Sequence, residues 1–327
     1  MIKYGYYDII KKDMVYKLFM ERTQFMANEV SAKPFLKWAG GKTQLLSKID
    51  NYLIFDDSVY KYAEPFVGGG AVLFHVLNNY SPKEIYINDI NSSLIDAYSV
   101  VKSNVSDLIN LLSEIETEYI ALDEEERKIY FYNKREKFNI LKKANENVFE
   151  KSALMIFLNK TCFNGLYREN KSGEFNVPHG KYKNPKICDR ENLLAVSNKL
   201  KNVEIYCGDY KNSENFIDAN TLVYFDPPYK PLSKSGFTSY SKSGFNDDNQ
   251  VELSQFFKVL NEKGAKVFLS NSDPKSNDGD LFFDDLYKDF NIERVSGNRM
   301  INSDAANRGK INEIIVSNFK RRNYEGI

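Results

Sequence analysis

The sequence predicts an α/β protein in which a sheet of strands and helices is interrupted by a long insertion. Two observations carry this. From Phe35 onward, short apolar runs alternate with helical segments in the rhythm of βαβ units. Between the second and third candidate strands lie more than a hundred residues, far more than a crossover connection needs, so that stretch reads as an inserted domain.

In chain order, residues 1–33 are rich in Tyr, Lys and Met, with turn signals at Asn28, Ser31 and Pro34, and read as an N-terminal extension. Candidate strands follow at 62–64, 84–88, 203–207, 221–225, 265–270, 292–295 and 313–317. Most end beside Gly, Asn or Asp, where open α/β sheets carry their sites. A helical pattern at 71–77 follows the first strand. Within the insertion, 92–152 reads as charged helices. One of these covers 123–137, with acidic residues toward its start and basic ones toward its end, as the helix dipole favours. The apolar run 153–158 has the length of a buried element. Residues 159–201 carry nine Lys or Arg against four Asp or Glu, amid Asn, Gly and aromatics. The expected layout is a sheet domain over 34–91 and 202–320, an insertion over 92–201, and a C-terminal tail over 321–327.

Composition narrows the function classes. Hydrophobic residues at 42% and charged residues at 28% describe an ordinary globular chain, not a disordered one. No apolar run approaches the roughly 18 residues of a membrane span, and no secretory signal pattern opens the chain. The three cysteines, Cys162, Cys188 and Cys207, fit neither a disulfide framework nor a metal knuckle, and each reads as a small core residue in a reducing cytoplasm. Two histidines without paired spacing offer no metal site. Basic and acidic residues balance at 45 each, so the positive surplus of 159–201 shows only in the distribution.

Three motifs carry chemistry. Lys37-Trp38-Ala39-Gly40-Gly41-Lys42-Thr43 ends like a phosphate-binding loop, yet the first glycine of that pattern would fall on Leu36, and the segment precedes the first strand. Glu64-Pro65-Phe66-Val67-Gly68-Gly69-Gly70 follows a strand and opens a helix, where glycines let a ligand approach the main chain. Asp89 closes the next strand, where a carboxylate can accept hydrogen bonds from ribose hydroxyls. Together these read as a nucleoside site, with a plain glycine turn as the alternative. Asp226-Pro227-Pro228-Tyr229 closes the strand 221–225, and its two prolines hold a carboxylate and an aromatic ring with little freedom beside the pocket.

With Phe35-Leu36-Lys37-Trp38-Ala39-Gly40-Gly41-Lys42 and Asn88-Asp89-Ile90-Asn91, these segments resemble the Dam-like, D12-class DNA adenine-N6 methyltransferases over roughly residues 34–320. In the insertion, Asn164-Gly165-Leu166-Tyr167-Arg168 and the stretch 173–182 resemble the target-recognition segment of the GATC-specific branch. The resemblance implies a Rossmann-like, seven-stranded, mainly parallel sheet with one antiparallel strand near the C-terminus, and an inserted, mainly helical target-recognition domain. It implies S-adenosyl-L-methionine as cofactor, contacted by Trp38, Lys42, Asp89 and Asp226, with Phe66, Gly68 and Gly70 shaping the pocket and Asp209 near the adenine. It implies double-stranded DNA as partner, met by Lys37, Phe163, Asn164, Leu166, Arg168, Pro178 and Tyr182. A cognate restriction endonuclease acting on the same site, without a stable complex, is compatible with it.

The chemistry agrees. The lone pair of adenine N6 is delocalised into the ring, so catalysis must localise it. Asp226 and the Pro227 carbonyl can accept its two N–H bonds, with Pro228 stiffening the loop and Tyr229 stacking on a base extruded from the helix. Arg168 can donate to guanine O6 and N7. His179 stands where an aromatic residue is frequent in the family. The stretch 230–246, with Phe237, Tyr240 and Phe245, has the composition of a loop over the site, ordering on DNA, and Asn307-Arg308-Gly309-Lys310 leads basically into the last strand. Two other readings remain: a same-fold enzyme acting on RNA or a protein amide, and a non-catalytic DNA-binding module.

Overall fold

The computed structural model of the chain describes residues 30–231, 245–298 and 310–322. Its centre is a seven-stranded sheet of β1 (Lys61–Glu64), β2 (Glu84–Asp89), β3 (Val203–Cys207), β4 (Thr221–Phe225), β5 (Lys266–Ser272), β6 (Asn291–Asn298) and β7 (Lys310–Ser317), in the order β3-β2-β1-β4-β5-β7-β6. Strands β1 to β5 are parallel, and β7 runs antiparallel to both β5 and β6. This is the α/β methyltransferase sheet expected from the sequence. All residues of β1 and β4 are buried, as in parallel strands covered on both faces. They lie side by side, Tyr62 opposite Leu222, and the chain order reverses between them. Their carboxyl ends therefore open on the crevice where such sheets bind ligands.

The main helices are α1 (Ala71–Asn79), α2 (Ser92–Ser103), α3 (Val105–Ala121), α4 (Glu124–Ala144), α5 (Val148–Thr161), α6 (Arg190–Leu200) and α7 (Asp247–Glu262). Helices α2 to α6 occupy the stretch between β2 and β3. Helix α4 starts on a capping box in which Asp123 accepts from the Glu126 amide and Glu126 from the Asp123 amide. It runs to Ala144, seven residues beyond the expected end, because Lys142 and Lys143 suit its last turn and Asn145 closes it in a left-handed conformation. Helix α5 is buried nearly all round and contains the apolar run 153–158. One core joins Tyr62 and Ile87 of the sheet to Leu112 and Phe157 of these helices. A second packs Val223, Phe225 and Leu269 against Leu253 and Phe257 of α7. Lys151, 1% exposed, pairs with Asp96 at 2.8 Å and ties α5 to α2.

One cysteine corrects the sequence reading. Cys162 and Cys188 are buried, but Cys207 is exposed, because β3 is the edge strand and Cys207 is its last residue. The extension up to residue 29, Phe237 and Tyr240 of the loop over the site, and Asn307 and Arg308 lie outside the described residues. Among the described residues, no helix is long and apolar enough to cross a membrane.

Candidate active site

The carboxyl end of β4 carries Asp226-Pro227-Pro228-Tyr229. The Lys42 ammonium meets Asp226 Oδ1 at 2.7 Å, donates to the Gly40 carbonyl at 2.7 Å, and lies 4.3 Å from the centre of the Tyr229 ring. Lys42 is only 5% exposed, an unusual burial for a lysine, explained by these three partners. The Ser270 hydroxyl on β5 donates to the same Asp226 oxygen at 3.2 Å. Among the described residues both contacts to Asp226 thus fall on Oδ1. Burial pushes the Asp226 carboxyl above its ordinary pKa, while Lys42 and Ser270 pull it back.

The rest of the tetrapeptide is fixed from three sides. Gln250 of α7 donates to the Pro228 carbonyl at 2.9 Å, and Asn271 of β5 accepts from the Lys230 amide at 3.1 Å. The Tyr229 hydroxyl donates to Glu313 of β7 at 2.6 Å. The ring is held by its far end, leaving its position set before any ligand arrives.

Beside this, β1 ends in Glu64, which is 2% exposed and accepts from the Tyr62 hydroxyl at 2.7 Å. Burial drives the Glu64 carboxyl well above the usual carboxylate range, assisted by the neighbouring Asp226 and opposed by Tyr62 and Lys42. The glycine loop follows. The Gly68 amide donates to Asp89 Oδ2 at 3.0 Å, and the Asn91 amide to Oδ1 at 2.9 Å, so Asp89 is oriented by main chain on both oxygens. A side chain at Gly69 would meet Trp38 at 2.9 Å, and one at Gly70 would meet the Tyr98 hydroxyl at 2.4 Å, with φ at +75°. Gly68 and Gly69 thus seat Trp38, whereas Gly70 makes room for a buried tyrosine. Phe66 stacks on Tyr210 at 5.1 Å and packs edge-on against Phe245 at 5.8 Å. The Gly208 amide donates to the Asp89 carbonyl at 3.1 Å, which brings exposed Asp209 next to it. The Asp209 carboxylate caps its own turn through the Lys211 amide.

A second group of side chains gathers where α5 meets residues 163–182. Asn159, 2% exposed, accepts from the Lys37 amide at 2.8 Å and donates to the carbonyls of Lys37 at 2.9 Å and Gly165 at 3.0 Å. The Lys37 ammonium lies 5.6 Å from the Tyr182 ring centre. Phe163 is 53% exposed and its amide donates to the Pro178 carbonyl at 2.8 Å; exposed Asn164 takes a left-handed conformation at φ 57°. Leu166 packs on the core and Arg168 is exposed, its Nε donating to Asn176 at 2.8 Å. Tyr167, between them, stacks on Trp38 with ring centres 5.1 Å apart and planes 24° from parallel. Its hydroxyl donates to Glu169. His179 turns inward, 2.6 Å from the Tyr119 hydroxyl and packed against Phe131, and burial lowers its pKa.

The structure thus brings Lys42, Asp226 and Tyr229 into one cluster, Trp38, Gly68 and Asp89 into a second beside it, and Lys37, Gly165 and Tyr182 into a third. A family model described as D12 class N6 adenine-specific DNA methyltransferase matches residues 38–301. The chain belongs to this class. Over 295 residues, 89% of the chain and 100% of the relative, this D12 methyltransferase is 51% identical to the Type II methyltransferase M.MjaIII of Methanocaldococcus jannaschii. It is 39% identical to the Type II methyltransferase M1.LlaDCHI of Lactococcus lactis over 89% of the chain and 97% of that relative. It is 33% identical to the DNA adenine methylase of Escherichia coli K12 over 87% and 94%.

Four residues of the D12 methyltransferase escaped the sequence reading. Glu64 is a charged residue closing a fully buried strand, and Asn159 is a polar residue ending an apolar helical run; each departure from pattern was a signal. Ile90, 79% exposed directly after Asp89, is an apolar side chain held in water at a strand end. Tyr167 gave no signal, since its partner Trp38 lies far away in sequence.

Proposed function

We propose that this DNA adenine methyltransferase moves the methyl group of S-adenosyl-L-methionine to N6 of the adenine in GATC in duplex DNA. The observation that carries the reading is the strand-end cluster of Lys42, Asp226 and Tyr229, with Asp89 and the glycine loop beside it. The donor set fits the cofactor. Asp89 is oriented to accept from ribose hydroxyls, exposed Ile90 offers an apolar face for the adenine with Asp209 at its edge, and Trp38, Phe66, Gly68 and Gly70 shape the remaining wall. When bound, the cofactor supplies an electrophilic methyl on a sulfonium, so the protein's task is to place and polarise the acceptor.

Asp226 Oδ2 and the Pro227 carbonyl accept the two N–H bonds of the adenine amino group. This pushes the nitrogen toward tetrahedral geometry and frees its lone pair for in-line attack. Lys42 and Ser270 favour the ionised form of Asp226 against the burial that raises its pKa. Tyr229, anchored through Glu313, stacks on the extruded base, and Pro228, anchored through Gln250, holds the loop. Residues 92–201 serve as the target-recognition domain and 34–91 with 202–320 as the catalytic domain. Arg168, presented by Asn176, reads a guanine; Lys37, Phe163, Asn164, Leu166, Pro178 and Tyr182 complete the DNA face. Similarity of residues 164–182 to the GATC-specific branch supports that target. The Type II names of two relatives support a cognate restriction endonuclease.

Base-resolved mapping of N6-methyladenine in plasmid DNA from a methylation-deficient bacterial host expressing the chain tests the reading. Methyl groups confined to GATC are expected. Another motif discards the target, and no methylation from soluble protein discards the mechanism.

A further inference from the structure

One contact between the recognition segment and the cofactor side of the site is a ring stack. Residues 166–176 form a narrow hairpin in which Glu169 pairs with Phe175 and the Asn176 amide donates to the Arg168 carbonyl at 3.1 Å. Along this extended stretch neighbouring side chains point opposite ways. Arg168 faces solvent, and Tyr167 faces inward onto Trp38, stacked at 5.1 Å. Trp38 in turn lies on Gly68 and Gly69, so closely that a side chain on either would meet it at 3.0 or 2.9 Å. The Gly68 amide holds Asp89 Oδ2 at 3.0 Å. Every link from Arg168 to Asp89 is therefore a covalent neighbour, a ring stack, a backbone contact or a hydrogen bond. The Phe175 ring, 5.6 Å from Tyr167 and tilted by 46°, ties Tyr167 to the same hairpin.

We infer that Tyr167 is a positioning residue that couples the two ligands: seating Arg168 on its base presses Tyr167 onto Trp38 and the glycine loop, which tightens the cofactor pocket, and cofactor binding tightens DNA reciprocally. This rests on the proposed function, since both ligands are those of that reading. Linkage requires the effect to be the same in both directions. Tyr167 is assigned to neither ligand in the proposed function, so its contribution is expected in the coupling and not in either separate affinity.

The test uses the full chain with S-adenosyl-L-homocysteine, the unreactive product, as probe. Its Kd is measured by calorimetry alone, with a GATC duplex and with a duplex lacking that site. For the unmodified chain the GATC duplex is expected to tighten product binding by at least about fivefold, the lower range of allosteric coupling. Tyr167→Phe keeps the ring and should keep the ratio. Tyr167→Ala, and Tyr167→Leu, which fills the space without an aromatic face, should bring the ratio to about one while leaving duplex-free product binding within about twofold. A ratio near one in the unmodified chain, or an unchanged ratio in both folded variants, overturns the inference alone. Failure of the unmodified chain to bind the product or to prefer the GATC duplex overturns the proposed function instead.

Discussion

Replacing Lys42 by methionine probes the electrostatics of the acceptor site with little change in volume. Lys42 and Asp226 stand 2.7 Å apart, with side chains 6% and 21% exposed. At that separation and an effective dielectric constant of about 20, their attraction is on the order of 6 kcal/mol before desolvation is subtracted. Removing one partner of such a buried pair typically costs about 3–5 kcal/mol, because the other charge is stranded. Asp226 escapes part of that cost by keeping a proton. If about 3 kcal/mol falls on its ionised form, the protonated form is favoured by a further factor of about a hundred and its pKa rises. In the proposed mechanism the ionised form accepts the adenine N–H, so the acid limb of the rate profile is expected to move about two pH units upward. Single-turnover methyl transfer at saturating cofactor and duplex, followed across pH, reads this directly. The variant should be strongly impaired near neutrality and recover as pH rises. A variant whose profile is lowered by the same factor at every pH would refute the argument and leave Lys42 a cofactor contact only.

Arg168→Ala should relax discrimination at one guanine by about 1–3 kcal/mol, seen as methylation of sites altered at that base, while unchanged preference at all positions removes Arg168 from readout. Glu64→Gln tests the buried carboxyl by pH-dependent thermal unfolding. Glu64 is held well above its usual pKa in the folded chain and ionises near about 4.3 when unfolded, so above that pH the folded state loses stability until its own pKa is passed. Gln carries no such loss, and its Tm relative to the unmodified chain should climb as pH rises; a constant difference would show that native Glu64 ionises normally.

What the sequence disclosed divides along range. The five parallel strands were legible because each is a short run with apolar residues and four of the five end beside Gly, Asn or Asp, a signal confined to neighbouring residues. The tetrapeptide at 226–229 was legible because two prolines beside a carboxylate and a ring constrain local backbone. Glu64 was quoted as part of a motif, yet its burial depends on Tyr62 and on strands to either side, which no local pattern reports. The Trp38 and Tyr167 stack joins segments that meet only once the helices between β2 and β3 fold back on the sheet. Cys207 was misread for the complementary reason: its residue type suggests a core, and only the strand order shows that its strand is the edge. The end of α4 was set too early because Ile140 and Leu141 lie in a charged stretch whose helical phase continues.

Asn159 has a consequence for how such an enzyme can change its target. One amide side chain satisfies both main-chain polar groups of Lys37 and the carbonyl of Gly165, so the stem of the 163–182 segment is pinned from inside the protein. An aspartate there would present acceptors to two carbonyls and lose both of those bonds. The tips at Phe163, Asn164 and Arg168 carry no comparable burden, since they are exposed. On the proposed reading, sequence drift or a designer would exchange the tips to address a different site while the stem keeps the methyl-transfer geometry in register, which separates the part of this protein expected to diversify from the part that is not.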